Sequence, residues 1–253
     1  MQKKTIVESK SKDFIFGIRA IIEAIKAEKQ IDKLLVSVDV GKSELMGELL
    51  SLAKENKIFL QRVPDYKLNK ITPKNHQGAI AYLSVVSYAS FEDILQGVFE
   101  KGETPLFLLL DGVTDVRNLG AIARTAECAG VHAIIVPEKN SAQISSDAIK
   151  TSAGALHYLP VSRVKSLSQT VKYLQQAGVQ IVACTEKTDN FLYDIDMTAP
   201  MAIVMGAEDV GVSNDIIKQA DHLAKIPMFG QISSLNVSVS AGVVLYEAVR
   251  QRK

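Results

Sequence analysis

The sequence predicts an α/β protein in two parts: a small alternating α/β unit, then a larger, mainly parallel sheet with helices on both faces. Three observations predict it. From residue 105 onward, short apolar runs alternate with amphipathic stretches in the order strand, helix, strand, helix. The run "LFLLLDGV" is apolar almost throughout, as in strands that crossover helices bury on both faces. The length, 253 residues, exceeds that of a typical single domain and supports one large or two modest cores.

The elements follow in order. After a charged start, "FGIRAIIEAIKAEK" places Ile18, Ile21, Ile22 and Ile25 at helical spacing, and "KLLVSVDV" reads as a strand. "SELMGELLSLAKEN" is a second helix, capped by Ser43, with Leu45, Leu49 and Leu52 on one side. "KIFLQRVP" is a strand, "DYKLNKITPKNH" a short basic turn or helix, and "GAIAYLSVV" another strand. "SYASFEDILQGVFEKGETP" holds one short helix before Gly/Pro punctuation. The expected division is a flexible start at 1–12, a first domain at 13–86, a linker at 87–104 and a second domain at 105–253. In the second domain, helices "NLGAIARTAECAG", "SSDAIKTSAGAL" and "SLSQTVKYLQQAG" alternate with strands "HAIIVP", "LPVSRV" and "VQIVACTE". After the irregular "KTDNFLYDIDMTAP" come strand "MAIVMGAE", helix "SNDIIKQA", strand "LAKIPM" and a final helix.

Charge is unevenly spread. Lys and Arg outnumber Asp and Glu by 15 to 10 over residues 1–80 and trail by 14 to 18 over 81–253. The basic first part fits contact with an anionic partner, and solvated helix faces account for it equally well. Cys128 and Cys184 sit in apolar sequence with no ligand spacing, which argues against a disulfide framework or a metal site and for a reducing compartment. No signal peptide or long apolar span is visible, so the expectation is a cytoplasmic protein.

Parallel sheets of this kind bind ligands at the carboxyl ends of their strands, so the turns there carry the chemistry. In "DGVTDVRNLGAIARTA" a strand ends at Asp111 and Gly112 and a helix opens around Asn118 and Gly120. Arg124 follows among Ile122, Ala123 and Ala126, where it would be partly shielded. Its fork suits phosphate or carboxylate, whereas an isolated Arg would more often be a snorkelling surface residue. In "MGAEDVG", Gly206 would let a ligand approach the backbone, with Glu208 and Gly211 after it; a plain tight turn is the simpler alternative. Neither a G-x-G-x-x-G fingerprint nor a P-loop lysine is present, which disfavours dinucleotide binding and nucleotide triphosphate hydrolysis. The third turn lies in "IPMFGQISSLNVSVSAGVVLYEAVRQRK". At helical period Leu235, Val239, Gly242, Val243, Tyr246 and Val249 share one face, and Asn236, Ser240, Glu247 and Gln251 another. A strand ending at Ile226 to Met228 and a helix starting near Ser234, with Ser233 or Ser234 as N-cap, explain more residues than a strand does.

With these residues in hand, the sequence resembles the SpoU/TrmH family of RNA ribose 2'-O-methyltransferases, of the knotted SPOUT superfamily. Asn118, Gly120, Ile122, Arg124, Thr125 and Ala126 are similar to its first motif, and Gly206, Glu208 and Gly211 to its second. Ile226 through Met228, Gly230 and Ser234 through Val239 are similar to its third, with Ser240 where Ala is commoner and Asp209-Val210 replacing a small pair. The first domain is similar to the ribosomal-protein-like RNA-binding module of the 23S rRNA guanosine-2'-O-methyltransferases, with "FGIRAIIEAI" and "NHQGAIAYL" as its ends.

The resemblance implies S-adenosyl-L-methionine as cofactor, RNA as substrate, a deep C-terminal trefoil knot and a homodimer joined through its last helix, with no metal. Backbone at Gly206, Ile226 and Leu235, together with Met228, would hold the cofactor. Arg124 would activate the ribose hydroxyl; because guanidinium stays protonated, its implied role is to bind the adjacent phosphate and stabilise the alkoxide. Asn118, Glu208, Ser234 and Asn236 would orient the ribose and Arg124. Arg62, Lys67, Lys70 and Lys74 would contact RNA phosphates, or form an ordinary solvated edge. The rivals are a tRNA 2'-O-methyltransferase, a non-catalytic RNA-binding protein of the same fold and an ordinary doubly wound nucleotide enzyme, the last disfavoured by the missing fingerprint.

Overall fold

The computed structural model describes residues 14–253 apart from 42 and 57. The expected flexible start, 1–12, lies outside the described residues. The described residues divide into two compact units, 14–85 and 86–253.

The first unit is a four-stranded mixed sheet with helices on both faces. Its strands are β1 (Phe14–Phe16), β2 (Ile31–Ser37), β3 (Leu60–Val63) and β4 (Ala79–Leu83), in the order β1-β4-β2-β3. β4 runs antiparallel to both neighbours, and β2 and β3 are parallel. Helices α1 (Ile18–Lys26) and α2 (Glu44–Glu55) bury Ile21, Ile22, Ile25, Met46 and Leu49 against Leu34, Val36, Ala79 and Ala81. The expected isoleucine stripe is thus the core face, and Ser43 caps α2 by accepting the Met46 amide at 3.2 Å. α3 (Asp65–Ile71) covers the other face through Leu68, packed with Leu35, Val63 and Ile80. The short strand β1, ahead of α1, is too brief and too closely followed by Gly17 to show a period of its own.

The second unit begins before the expected boundary. Residues 87–104 contain α4 (Phe91–Glu100), whose Phe91 and Leu95 lie in the same core as Phe107, Leu109, Ile135 and Val204. The six strands are β5 (Leu106–Asp111), β6 (Ala133–Pro137), β7 (Val161–Val164), β8 (Gln180–Cys184), β9 (Met201–Gly206) and β10 (His222–Ala224). All pairings are parallel and the order is β10-β8-β9-β5-β6-β7. The five residues Leu106–Leu110 are buried, which the unbroken apolar run demands of a strand covered on both sides.

Helices α7 (Leu167–Gln176) and α8 (Asn214–Ile217) share the face of α4. α5 (Val116–Cys128) packs on both α6 (Ser146–Thr151) and α9 (Val237–Arg252), α9 also meeting β9. Gly120 makes the α5–α6 contact possible, since a Cβ there would stand 2.6 Å from Thr151 Cβ. The expected helix over "SSDAIKTSAGAL" stops at Thr151 because Ala153 and Gly154 take positive φ, and a 3-10 turn, Ala155–His157, follows. Likewise β10 ends at Ala224 and not at Met228, because its partner β8 ends at Cys184 opposite Ala224, and Pro227, without an amide, bars the ladder from extending to Met228.

The last helix departs most from expectation. It starts at Val237 with Asn236 as N-cap, and Ser233 and Ser234 are exposed ahead of it. Its buried set is Val237, Ala241, Val244, Leu245, Ala248 and Glu247, whereas Val239 and Tyr246, expected on the buried stripe, are each 52% exposed. Glu247, expected on the polar face, is held by Arg250 through two bonds of 2.9 and 2.7 Å and by Gln251 at 2.7 Å. The Arg250 bonds outweigh burial and keep its carboxyl below the ordinary carboxylate range.

Candidate active site

Three chain segments far apart in sequence meet at the carboxyl edge of the parallel sheet. Asp115 opens α5, its carboxylate accepting the amides of Arg117 at 2.9 Å and Asn118 at 2.8 Å. That fixes Asn118 in the first turn. Asn236 opens α9 by accepting the Ser238 amide at 2.9 Å and the Ser238 hydroxyl at 2.5 Å on Oδ1. Its Nδ2 donates to Asn118 Oδ1 at 3.1 Å and to Glu208 Oε1 at 2.5 Å. The bonding fixes which end of the amide faces Glu208, because the reversed amide would set an oxygen against a carboxylate.

Glu208 is held out by the turn after β9. Gly211 N–H donates to Ala207 carbonyl at 2.9 Å, closing a loop over residues 207–211 in which Gly211 has φ +69°. A Cβ at Gly206 would lie 2.1 Å from both Gly211 C and Val212 N. The chain itself therefore requires glycine there, a stronger reason than the ligand approach expected from the sequence. Asp111, at the end of β5, accepts the Ser213 amide at 2.8 Å and ties the loop's far end to the neighbouring strand.

Of the five residues expected to do the chemistry, the structure joins Asn118, Glu208 and Asn236. Ser234 is exposed two residues ahead of α9 and makes no recorded bond to that cluster. Arg124 is exposed and not shielded by Ile122, Ala123 and Ala126: those three are buried on one side of α5, and Arg124 looks out from the other. It makes no recorded hydrogen bond or ion pair with a described residue, so its fork is available to an anion. Arg117, seven residues earlier and also exposed, shares that face. Arg117 is not among the motif residues, yet its seven-residue spacing from Arg124 sets both on one helix face.

The residues expected at the cofactor lie near the cluster by connectivity. Gly206 is two residues from Glu208, Leu235 is bonded to Asn236, and Ile226 follows β10, which ends at the same edge of the sheet as β8 and β9. Met228 and Leu235 are 38% and 40% exposed in a segment without helix or strand. Apolar side chains left uncovered beside free backbone groups fit a ligand with an aromatic base and a short polar chain, as S-adenosylmethionine is. In the first unit Arg62, Lys67, Lys70 and Lys74 are all exposed, with Lys70 Nζ 5.6 Å from the centre of the exposed Tyr66 ring. Among the described residues no group of three or more His, Cys, Asp and Glu is placed to hold a metal. Cys128 and Cys184 are free; Cys128 is exposed, contrary to its apolar sequence context.

A parallel sheet with two helix N-termini and a glycine-closed turn converging on a polar cluster defines an α/β enzyme acting on an anionic substrate. Comparison with known proteins narrows the class. Residues 105–246 match the model of the SpoU rRNA Methylase family, and residues 14–89 match that of RNA 2'-O ribose methyltransferase substrate binding. The chain belongs to the SpoU rRNA methylase family and is an S-adenosylmethionine-dependent RNA methyltransferase. It is 40% identical over 247 residues to the 23S rRNA (guanosine-2'-O-)-methyltransferase RlmB of Photobacterium profundum, covering 96% of this chain and 99% of that one. It is 34% identical over 244 residues to the putative TrmH family tRNA/rRNA methyltransferase YacO of Bacillus subtilis, covering 96% and 98%. Among solved structures, the SpoU methyltransferase AviRb of Streptomyces viridochromogenes in complex with AdoMet superposes with a TM-score of 0.60 at 27% identity, covering 94% and 90%.

Proposed function

We propose that this enzyme methylates the ribose 2'-oxygen of a guanosine in 23S ribosomal RNA, working in the cytoplasm as a homodimer. The observation that carries the chemistry is the Asn118–Asn236–Glu208 cluster, set where α5 and α9 begin. The substrate assignment rests on the full-length similarity to the 23S rRNA guanosine enzyme of Photobacterium profundum.

When bound, S-adenosylmethionine supplies an electrophilic methyl group on a sulfonium. The protein must hold the 2'-hydroxyl in line with it and stabilise the charge that develops on oxygen. Asn118 has given its carbonyl to Asn236, so its Nδ2 donors are left for the ribose. Glu208 has given Oε1 to Asn236 and keeps Oε2 as an acceptor. Arg124, an exposed cation, neutralises the adjacent phosphate and the developing alkoxide, and Ser234 borders the ribose. The amides that open α5 and α9 add partial positive charge at the same place. Gly206, Ile226, Met228 and Leu235 hold the cofactor, and the trefoil knot belongs to this reading as the way those segments are kept together. The first domain, 13–86, holds RNA through Arg62, Lys67, Lys70 and Lys74; residues 105–253 carry the transfer.

The test is transfer of labelled methyl from S-adenosylmethionine to 23S rRNA from cells lacking the enzyme, followed by digestion to nucleosides. Label recovered as 2'-O-methylguanosine in 23S rRNA is the expected outcome. Label confined to tRNA, or none in any RNA, overturns the assignment.

A further inference from the structure

On the face of the sheet that carries α7 and α8, a cavity of about 540 Å³ opens at the carboxyl ends of the strands. Neither Arg124, Asn118 nor Asn236 lines it. Three lysines do: Lys139 after β6, Lys165 after β7 and Lys187 after β8, so each comes from a different turn. None of their ammonium groups makes an ion pair or hydrogen bond with a described residue; Lys187 is tied down only through its backbone amide, which donates to Thr185 Oγ1 at 3.2 Å. Two carboxylates share the lining, and Asp111 is already committed to the Ser213 amide at 2.8 Å, while Asp215 lies in the first turn of α8. Ser168 lines the cavity as well, and its hydroxyl oxygen accepts from Gln219 Nε2 at 2.7 Å. That bond occupies a lone pair and leaves the hydroxyl proton to be donated into the cavity.

We propose that this cavity is a phosphate-binding subsite that holds a backbone phosphate of the RNA, one to a few nucleotides from the ribose being methylated. Three ammonium groups from separate turns, with a hydroxyl donor among them, match a tetrahedral dianion or phosphodiester, since lysine acts as a point charge where planar carboxylate would call for arginine. The volume exceeds that of one phosphate group, as a subsite entered by a nucleotide requires. Its position ties it to the transfer site. Val210 and Gly211 line the cavity, and Glu208, which bonds Asn236, is two residues before Val210 in the same closed turn and so at most roughly 7 Å from it. One strand of RNA can therefore occupy both sides of the Gly206–Gly211 loop at once. This assignment rests on the reading of the protein as an enzyme acting on RNA.

The experiment compares the full chain with a triple variant, K139Q/K165Q/K187Q, and with K139R/K165R/K187R as a charge-preserving control. It measures affinity for a 23S rRNA transcript from low to high salt, affinity for S-adenosylmethionine, and thermal stabilisation by inorganic phosphate and by pyrophosphate. The glutamine variant is expected to bind the transcript at least about tenfold more weakly, with the salt slope of log Kd reduced by about one, as loss of a single phosphate contact predicts. Its affinity for S-adenosylmethionine should match wild type, and the arginine variant should recover RNA affinity. Stabilisation of wild type by phosphate or pyrophosphate that is lost in the glutamine variant, with RNA affinity unchanged, overturns the RNA assignment and makes a free anion the ligand. An unchanged salt slope with no response to phosphate overturns the subsite altogether. Failure of wild type to methylate any RNA counts against the proposed function, and the phosphate arm still reads the cavity.

Discussion

Asn236 has no spare hydrogen-bonding capacity: its two donors go to Asn118 and Glu208, and its oxygen takes both the amide and the hydroxyl of Ser238. Asn236→Asp keeps a good N-cap but sets a carboxylate against Glu208, so the cluster must open while α9 stays capped. Single-turnover methyl transfer should fall by roughly 10²-fold with the melting temperature held, because small misplacements at a reacting centre cost about that much. A wild-type rate would remove the cluster from the mechanism. Arg124 separates in the same way, since an exposed side chain contributes little to stability. Arg124→Ala should lose transfer while binding S-adenosylmethionine normally, and Arg124→Lys should recover only part of the rate; near-normal chemistry in the alanine variant would end any essential role. The cysteines give a simpler contrast. Burial pushes the Cys184 thiol up to about 12, whereas Cys128 is exposed. A thiol reagent at pH 8 should modify Cys128 readily in the folded protein and Cys184, half-buried and with its thiol held protonated, much more slowly until denaturation; equally rapid reaction of both would contradict the raised thiol.

At the scale of elements, the turn after β9 and the end of α9 decide stability. Gly206→Ala would drive a Cβ into the backbone of Gly211 and Val212, and no rotamer relieves a clash with main chain. Urea unfolding should show a loss of at least about 2 kcal/mol, and transfer should fall with it because Glu208 rides on the same turn. Arg252 closes the other end of the sheet. Its guanidinium donates to the carbonyls of Met197 at 2.9 Å, Ala199 at 2.7 Å, Pro105 at 3.1 Å and Thr104 at 3.1 Å. Arg252→Ala removes the side-chain donor from the carbonyls of Met197 and Ala199, whereas Pro105 keeps the Met201 amide and the exposed Thr104 carbonyl turns to water, and should cost about 1–2 kcal/mol. Strands and helices with strong periods were legible in the sequence: the isoleucines of α1 and the unbroken run of β5 lie where the pattern puts them. What was not legible depends on partners remote in the chain. Nothing local to Arg252 reveals four carbonyls some 50 and 150 residues away, and nothing local to Asn236 shows that it, rather than Ser234, caps α9. The chemistry of the site was legible only as motifs. The sequence named Asn118, Glu208 and Asn236 together, but the bonds joining them exist only in the fold.

For the whole molecule, the last helix carries the argument for assembly. The stripe Leu235, Val239, Tyr246 was legible as apolar from its spacing, yet in the single chain it faces solvent, at 40%, 52% and 52% exposure, while α9 buries Val237, Ala241, Val244 and Leu245 instead. In the proposed homodimer the buried face of α9 packs on its own chain and the exposed stripe meets the partner. A second copy meeting this face by two-fold symmetry would set like residues near one another and cover both stripes at once. Tyr246→Glu places a charge in that contact without touching the buried face, so the variant chain should fold normally and sediment as a monomer where wild type sediments as a dimer. Since Asn236 is the N-cap of α9, loss of the contact should also loosen the cluster and lower methyl transfer in proportion to the monomer fraction. Wild type that sediments as a monomer at micromolar concentration, or a monomeric Tyr246→Glu variant with full activity, would respectively remove the dimer or its part in catalysis.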